Sequence, residues 1–137
     1  MNWITPEIAI GNHSEAADVV LLSKEDVRAV LGLIDTLAAK NAEEMGLEAI
    51  VVVPLQDGPD NAPERFDDAI RALGRLIEQH GKVLVHCHLG RSRSAAVVAG
   101  HLMRSQNLSK DEALQLISTK REIYITAGVE LMLDRLS

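Results

Sequence analysis

Residues 83–103 have the sequence VLVHCHLGRSRSAAVVAGHLM, the clearest structural pattern in the chain. Its first three residues form a short apolar run, which is typical of a strand with both faces covered. Its last ten residues, Ser94 to Met103, are apolar nearly all round, which indicates a buried central helix. Residues 86–93 between them are mostly polar. The stretch therefore predicts a buried strand, a loop at its carboxyl end, and a buried helix that begins where the loop ends.

Outside this stretch, strand and helix patterns alternate along the chain. Two further apolar runs, residues 27–34 and 49–53, predict buried strands, and residues 2–10 predict a short edge hairpin. Helices are predicted over residues 14–23, 36–45, 63–79 and 110–119, with a last amphipathic helix on Val129, Met132, Leu133 and Leu136. This alternation predicts an α/β fold of three layers: a mostly parallel central sheet with helices on both faces, in a single domain over residues 1–137.

Composition excludes several classes of function. The 137 residues carry a net charge of -6, so the surface as a whole does not attract nucleic acid or an anionic membrane. Cys87 is the only cysteine, which excludes a CxxC redox motif and a four-cysteine zinc site and is typical of a reducing compartment. No apolar run approaches the ~18 residues of a membrane span, and residues 1–20 lack a signal-peptide pattern. We therefore expect a cytoplasmic protein without nucleic-acid or membrane partners.

The loop between the central strand and helix has the chemistry of an anion site. Cys87 lies just past the strand, where the loop leads into the amino end of a helix whose first amides carry a partial positive charge. A curled loop can point the N–H groups of residues 88–92 inward, and Gly90 permits the backbone angles that such a curl needs. Arg93 can return a planar fork of donors to the same centre. The pattern predicts a site for a tetrahedral oxyanion such as phosphate.

The same positive surroundings favour the thiolate of Cys87 over its thiol. A thiolate below a bound phosphate can attack phosphorus directly, and the loop amides and Arg93 would stabilise the charge on the equatorial oxygens. The residues thus predict hydrolysis through a covalent phosphocysteine, with Cys87 as the nucleophile.

With His86, Gly90 and Ser94 included, the loop resembles the signature of the cysteine-dependent phosphatase superfamily: His-Cys, five residues, Arg, then Ser or Thr. Glycine at the third position after cysteine and serine after arginine make it most similar to the dual-specificity protein phosphatases. The segments Ile8 to Gly11 and 27–33 also resemble that family in pattern. The resemblance implies a phosphotyrosine-phosphatase-like fold and hydrolysis of phosphomonoesters on phosphoproteins, at phosphotyrosine, phosphoserine or phosphothreonine.

The resemblance also implies a role for each residue of the motif. Cys87 corresponds to the nucleophile, Arg93 to the arginine that grips the phosphate, and Ser94 to the hydroxyl that stabilises the departing thiolate. His86 corresponds to the buried histidine that holds the loop and favours the thiolate, and it is not a proton donor to substrate. The family binds phosphate through backbone amides, which here belong to His88, Leu89, Gly90, Arg91 and Ser92. No cofactor and no metal are implied.

A general acid is expected on the segment 54–61, which follows a predicted strand and contains two aspartates. Gly58 and Pro59 indicate a turn there, and Gly58 is a candidate hinge. Asp57 sits where the dual-specificity family usually carries its acid. Asp60 lies closer to the helix that begins near Pro63, where an aspartate more often favours a helix start. We therefore predict Asp57 as the acid, with Asp60 as the alternative.

Other functions fit the sequence less well. A metal site at His86, Cys87 and His88 is disfavoured because adjacent residues on an extended segment point to opposite faces. A rhodanese-type sulfurtransferase also presents a cysteine on an anion-binding loop, but the arginine and serine that close this loop favour phosphate. A phosphatase of a small metabolite or lipid and a phospho-binding module with little turnover are the remaining alternatives. The loop contains only Arg91 and Arg93 as cations, which argues against highly charged inositol headgroups.

Overall fold

A computed structural model describes residues 1–136 of the chain. Its sheet has five strands in the order β1-β2-β5-β3-β4. The strands are β1 Asn2–Trp3, β2 Ile8–Gly11, β3 Ala29–Gly32, β4 Ala49–Val52 and β5 Val83–His86. Only the β1–β2 pair is antiparallel, and the other pairs are parallel. The mostly parallel central sheet expected from the sequence is confirmed.

Helices cover both faces of this sheet. They are α1 His13–Ala16, α2 Val19–Lys24, α3 Pro63–His80, α4 Arg93–Ser105, α5 Lys110–Ser118 and α6 Ala127–Asp134. Side chains of β5 alternate between two cores: Val83 and Val85 pack with the α3 to α6 side, and Leu84 packs with the α1 and α2 side. Within residues 1–136, no helix combines the length and the apolar character that crossing a bilayer requires.

The prediction of a helix over residues 36–45 is wrong. Two short 3-10 turns, Asp35–Leu37 and Glu43–Met45, occupy the segment instead. Asn41 lies between the two turns, and its side chain accepts a hydrogen bond from the N–H of Glu44 at 3.3 Å. An asparagine that bonds its own backbone in this way competes with a continuous helix.

Three further features differ from the expectation. The helix expected over 14–23 is divided into α1 and α2, because Asp18 caps a new helix by accepting from the N–H of Leu21 at 3.1 Å. The strand over 49–53 is half-buried rather than buried, since β4 lies at the edge of the sheet. The hairpin of residues 2–10 is present, but only β1 is at an edge, because β2 pairs with β5.

Strand register brings three carboxyl ends together. Gly11 of β2 and Gly32 of β3 both lie opposite His86, the last residue of β5. The loop that follows His86 therefore emerges at the centre of the sheet edge where ligands bind in folds of this kind.

Candidate active site

Residues 87–92, called here the Cys87 loop, curl with their carbonyl groups turned outward. Four outward hydrogen bonds hold them: His13 N to His88 O (3.1 Å), Arg121 Nη2 to Leu89 O (3.2 Å), Arg121 Nε to Gly90 O (2.7 Å) and Tyr124 N to Arg91 O (2.9 Å). The N–H of a trans peptide points away from its carbonyl, so the N–H groups of residues 89–92 face the inside of the curl. Gly90 has a φ of 70°, which a residue with a side chain adopts at a cost.

Cys87 lies at the base of this curl. Its side chain is 2% exposed, and its Sγ is 3.3 Å from the Oγ of Ser94, which is itself fully buried in the first turn of α4. A cavity of about 200 Å³ opens above the sulfur. Its lining comes from the Cys87 loop with Arg93, from Asp57, and from Tyr124 and Thr126 just before α6.

Arg93 reaches the cavity from the first position of α4. Its Nη1 donates to the carbonyl of Leu55 at 3.1 Å, which ties α4 to the segment after β4. Its Nε is buried and has no hydrogen-bond partner among residues 1–136. A buried donor left unsatisfied costs about 1–3 kcal/mol, so an anion that accepts from this Nε would be bound favourably.

The structure separates the two candidate acids. Asp57 lines the cavity that contains Cys87, and its Oδ1 accepts a hydrogen bond from the Oγ1 of Thr126 at 3.1 Å. Asp60 lies in a separate depression with Gln56 and Arg65. The geometry brings Asp57 to the sulfur's cavity and leaves Asp60 outside it.

Comparison with known proteins gives the family. The dual specificity phosphatase catalytic domain matches residues 8–132. The chain belongs to the dual specificity phosphatase family. Dual specificity protein phosphatase 1 of Arabidopsis thaliana is 27% identical over 114 residues, 83% of this chain and 57% of the relative. Dual specificity protein phosphatase 22 of Homo sapiens is 31% identical over 124 residues, 88% of this chain and 64% of the relative. The chain thus spans less than two thirds of both relatives.

Solved structures share the fold of this chain. The PTP-2 phosphatase of Cydia pomonella has the same fold, with a TM-score of 0.85 at 23% identity over 98% of this chain and 88% of that one. A mouse phosphatase of the dual specificity type, solved in complex with zinc tungstate, has a TM-score of 0.80 at 26% identity over 98% of this chain and 84% of that one.

His86, which precedes the nucleophile position of the family motif, is fully buried. Burial lowers the pKa of its imidazole, so the ring is neutral in the folded protein near pH 7. Its Nδ1 lies 3.4 Å from the carbonyl oxygen of Cys87, and its Nε2 has no partner within residues 1–136. This placement suits a residue that holds the loop rather than one that transfers a proton to substrate.

Arg121 is a site residue that the sequence reasoning missed. Besides the carbonyls of Leu89 and Gly90, it binds Asn2 Oδ1 at 2.8 Å and Ile10 O at 3.3 Å, both through Nη1. Partial burial lowers the pKa of its guanidinium, with a smaller electrostatic contribution from Arg91 in the same direction and one from Cys87 that raises it. An arginine isolated on a connecting segment gives no sequence signal for this role, because the role exists only when three distant segments meet.

Two histidine rings stack at the site, a contact that no sequence motif indicates. The rings of His13 and His88 stack with centroids 4.5 Å apart and planes 4° apart.

Within residues 1–136, no group of three or more His, Cys, Asp or Glu side chains is placed to hold a metal ion. The expected independence from metals and cofactors stays a prediction, as does the cytoplasmic location.

Proposed function

We propose that this protein is a cysteine-dependent phosphatase that hydrolyses phosphomonoesters on phosphoproteins through a phosphocysteine at Cys87. One observation carries the proposal. The buried sulfur of Cys87 lies at the base of a cavity that is lined by the Cys87 loop, with its inward N–H groups, and by Arg93, whose Nε has no hydrogen-bond partner within residues 1–136. That lining has the donors that a phosphate dianion needs and the nucleophile directly beside them.

Substrate binding would supply acceptors for these donors. Phosphate oxygens would accept from the N–H groups of residues 89–92 and from Arg93, which is positioned by its hydrogen bond to Leu55 O. The tungstate complex of the mouse relative supports the same interpretation, since tungstate is a tetrahedral oxyanion. We therefore expect inorganic oxyanions such as vanadate and tungstate to compete with substrate.

Hydrolysis then proceeds in two steps, formation of the phosphocysteine and its reaction with water. The Cys87 thiolate attacks phosphorus, the bond from phosphorus to the leaving oxygen breaks, and Asp57 gives that oxygen its proton. Water next attacks the phosphocysteine while Asp57 takes back a proton, and inorganic phosphate leaves. The Ser94 hydroxyl, 3.3 Å from Sγ, donates to the thiolate that departs in this second step. Loop amides and Arg93 stabilise the equatorial oxygens in both transition states.

The rim of the cavity supports a phosphorylated protein side chain with an aromatic ring. Leu89 and Tyr124 are 58% and 74% exposed although both are large and apolar, and both line the cavity. Their surfaces offer contact area to the ring of phosphotyrosine, which phosphoserine lacks. Arg91 is exposed at the same rim, where it would favour an acidic residue beside the phosphorylated one.

A panel of phosphotyrosine, phosphoserine and phosphothreonine peptides and small phosphomonoesters tests this function. We expect turnover of peptides, highest with phosphotyrosine, in the wild type and none in Cys87→Ser, which should still bind tungstate. Arg93→Lys should lose most activity because an ammonium cannot form the two-pronged grip. Arg75→Lys on the exposed face of α3 is the matched control and should equal the wild type. Turnover above a few per cent of wild type in Cys87→Ser would contradict the proposal.

A further inference from the structure

The segment 54–61, called here the acid loop, is closed by its own side chain Asn61. Asn61 Oδ1 accepts from the N–H of Gln56 at 2.7 Å, and Asn61 Nδ2 donates to the carbonyl of Gln56 at 2.8 Å. The start of the loop is fixed as well, since Leu55 N donates to Leu33 O at 2.9 Å. Asp57 therefore projects from a turn whose two ends are held.

Thr126 connects this loop to the Cys87 loop. Its hydroxyl donates to Asp57 Oδ1 at 3.1 Å, while its backbone N–H donates to Ser92 Oγ at 3.1 Å. Thr126 is the N-cap residue of α6, a position at which threonine usually accepts a hydrogen bond from the helix backbone. Here its side chain makes no such cap. The hydroxyl serves Asp57 instead of the helix.

Gly128, in the first turn of α6, allows this contact. A Cβ at this position would lie 2.6 Å from the carbonyl carbon of Gly58 and 2.8 Å from Cα of Pro59, distances at which no side chain fits. The backbone of α6 thus lies directly against the turn that follows Asp57. Close approach and the Thr126 hydrogen bond act on the same loop from the same side.

This arrangement gives the two oxygens of the Asp57 carboxyl group different roles. Oδ1 is engaged by the Thr126 hydroxyl, so Oδ2 is left to carry the proton that the leaving group receives. A carboxyl held through one oxygen has a fixed direction for the other, and general acid catalysis depends on that direction.

We propose that Thr126 is a positioning residue that orients Asp57 for proton transfer, and that Gly128 lets α6 approach closely enough for it to do so. The inference rests on the proposed phosphatase function and concerns only the protonation of the leaving group. Thr126 is not among the groups that bind the phosphate, which are the N–H groups of residues 89–92 and Arg93. Its loss should therefore lower kcat/KM, which reports the steps up to the departure of the leaving group, only where that group needs a proton.

Thr126→Val is the direct test, because valine keeps the shape and the backbone bond to Ser92 but removes the hydroxyl. For aryl phosphates whose leaving phenols are weakly acidic, kcat/KM should fall about 10- to 30-fold. For p-nitrophenyl phosphate, whose leaving group departs with little help, it should fall about twofold or less. Thr126→Ser should restore most of the loss. Thr119→Val, which removes an exposed hydroxyl bonded to Leu116 O at the end of α5, is the matched control.

A double-mutant cycle separates positioning from general destabilisation. In the Asp57→Asn background, Thr126→Val should cause no further loss, because there is no acid left to orient. Equal loss across all leaving groups, additive loss in the Asp57→Asn background, or no loss at all would overturn the inference. If Thr126→Val gave one of these results while the wild type was active and Cys87→Ser was inactive, the phosphatase proposal would stand and only the positioning role of Thr126 would fail. A wild type with no phosphatase activity would overturn both.

Discussion

Replacing Gly90 by alanine tests whether the curl of the Cys87 loop creates the site. Two costs arise at this position. The φ of 70° is unfavourable for alanine by about 1–2 kcal/mol. In addition, a Cβ would lie 2.5 Å from the carbonyl oxygen of Gly11 and 2.6 Å from Nη2 of Arg121. A comfortable carbon–oxygen contact is about 3.3 Å, so the loop must move by roughly 0.8 Å.

Gly46 offers a matched control for the first cost alone. Its φ is 71°, nearly equal to that of Gly90, but nothing lies within 4 Å of a Cβ placed there. Gly46→Ala should lower Tm by about 3–5 °C, the effect of roughly 1 kcal/mol in a domain of this size. It should leave kcat/KM within about twofold of the wild type, because residue 46 follows a 3-10 turn remote from the cavity.

Gly90→Ala should behave differently in the same two assays. A displacement near 1 Å at a catalytic loop costs on the order of 100-fold in rate, so kcat/KM for p-nitrophenyl phosphate should fall by about that factor. Thermal unfolding followed by circular dichroism should show a Tm decrease at least as large as that of Gly46→Ala. If the two variants lost stability equally and Gly90→Ala retained more than half of wild-type activity, the curl would not be the source of the site.

Three other predictions follow from the same geometry. Arg121→Lys should reduce kcat/KM about 10-fold or more and weaken vanadate binding, since one ammonium cannot serve both loop carbonyls and Ile10 O; unchanged vanadate affinity by inhibition kinetics would contradict this. Asp57→Asn should slow poor leaving groups about 100-fold or more, whereas Asp60→Asn should change the rates little; steady-state kinetics with the opposite ranking would move the acid to Asp60. Burial lowers the pKa values of His86 and His101, so the unfolded chain binds more protons than the folded one below about pH 6.5. The free energy of unfolding in urea should therefore decrease as the pH falls through that range, and less so in His101→Gln; an equal decrease in that variant would be inconsistent with a contribution from His101.

The centre of the molecule was predictable from sequence because its signals are local. The apolar run at 83–85, the glycine at 90 and the apolar helix from Ser94 each act on their immediate neighbours, and the structure has β5, the curl and α4 in those places. The position of Asp57 was also predictable, since the carboxyl ends of parallel strands share one edge of the sheet. The catalytic role of Asp57 itself stays a prediction.

Features that depend on distant contacts were not predictable. The interior position of β2 results from its parallel pairing with β5, more than 70 residues later, which no local pattern encodes. Arg121 and Thr126 are ordinary residues on a connecting segment until the fold places them against the Cys87 loop and the acid loop. The segment 36–45 shows the converse case, because its local helical pattern was overridden by the turn at Asn41.

Trapping the covalent intermediate shows directly whether Cys87 is the nucleophile. Wild-type protein should be mixed rapidly with a phosphotyrosine peptide, quenched in acid within milliseconds, digested and analysed by mass spectrometry. Asp57→Asn should be run beside it with p-nitrophenyl phosphate, whose leaving group departs with little help, so that the intermediate still forms while its hydrolysis lacks a base. One phosphoryl group is expected on the peptide that contains Cys87, more of it in Asp57→Asn than in the wild type when p-nitrophenyl phosphate is the substrate, and none in Cys87→Ser. Turnover of the peptide with no phosphoryl group on Cys87, or with the group on another residue, would contradict this role of Cys87.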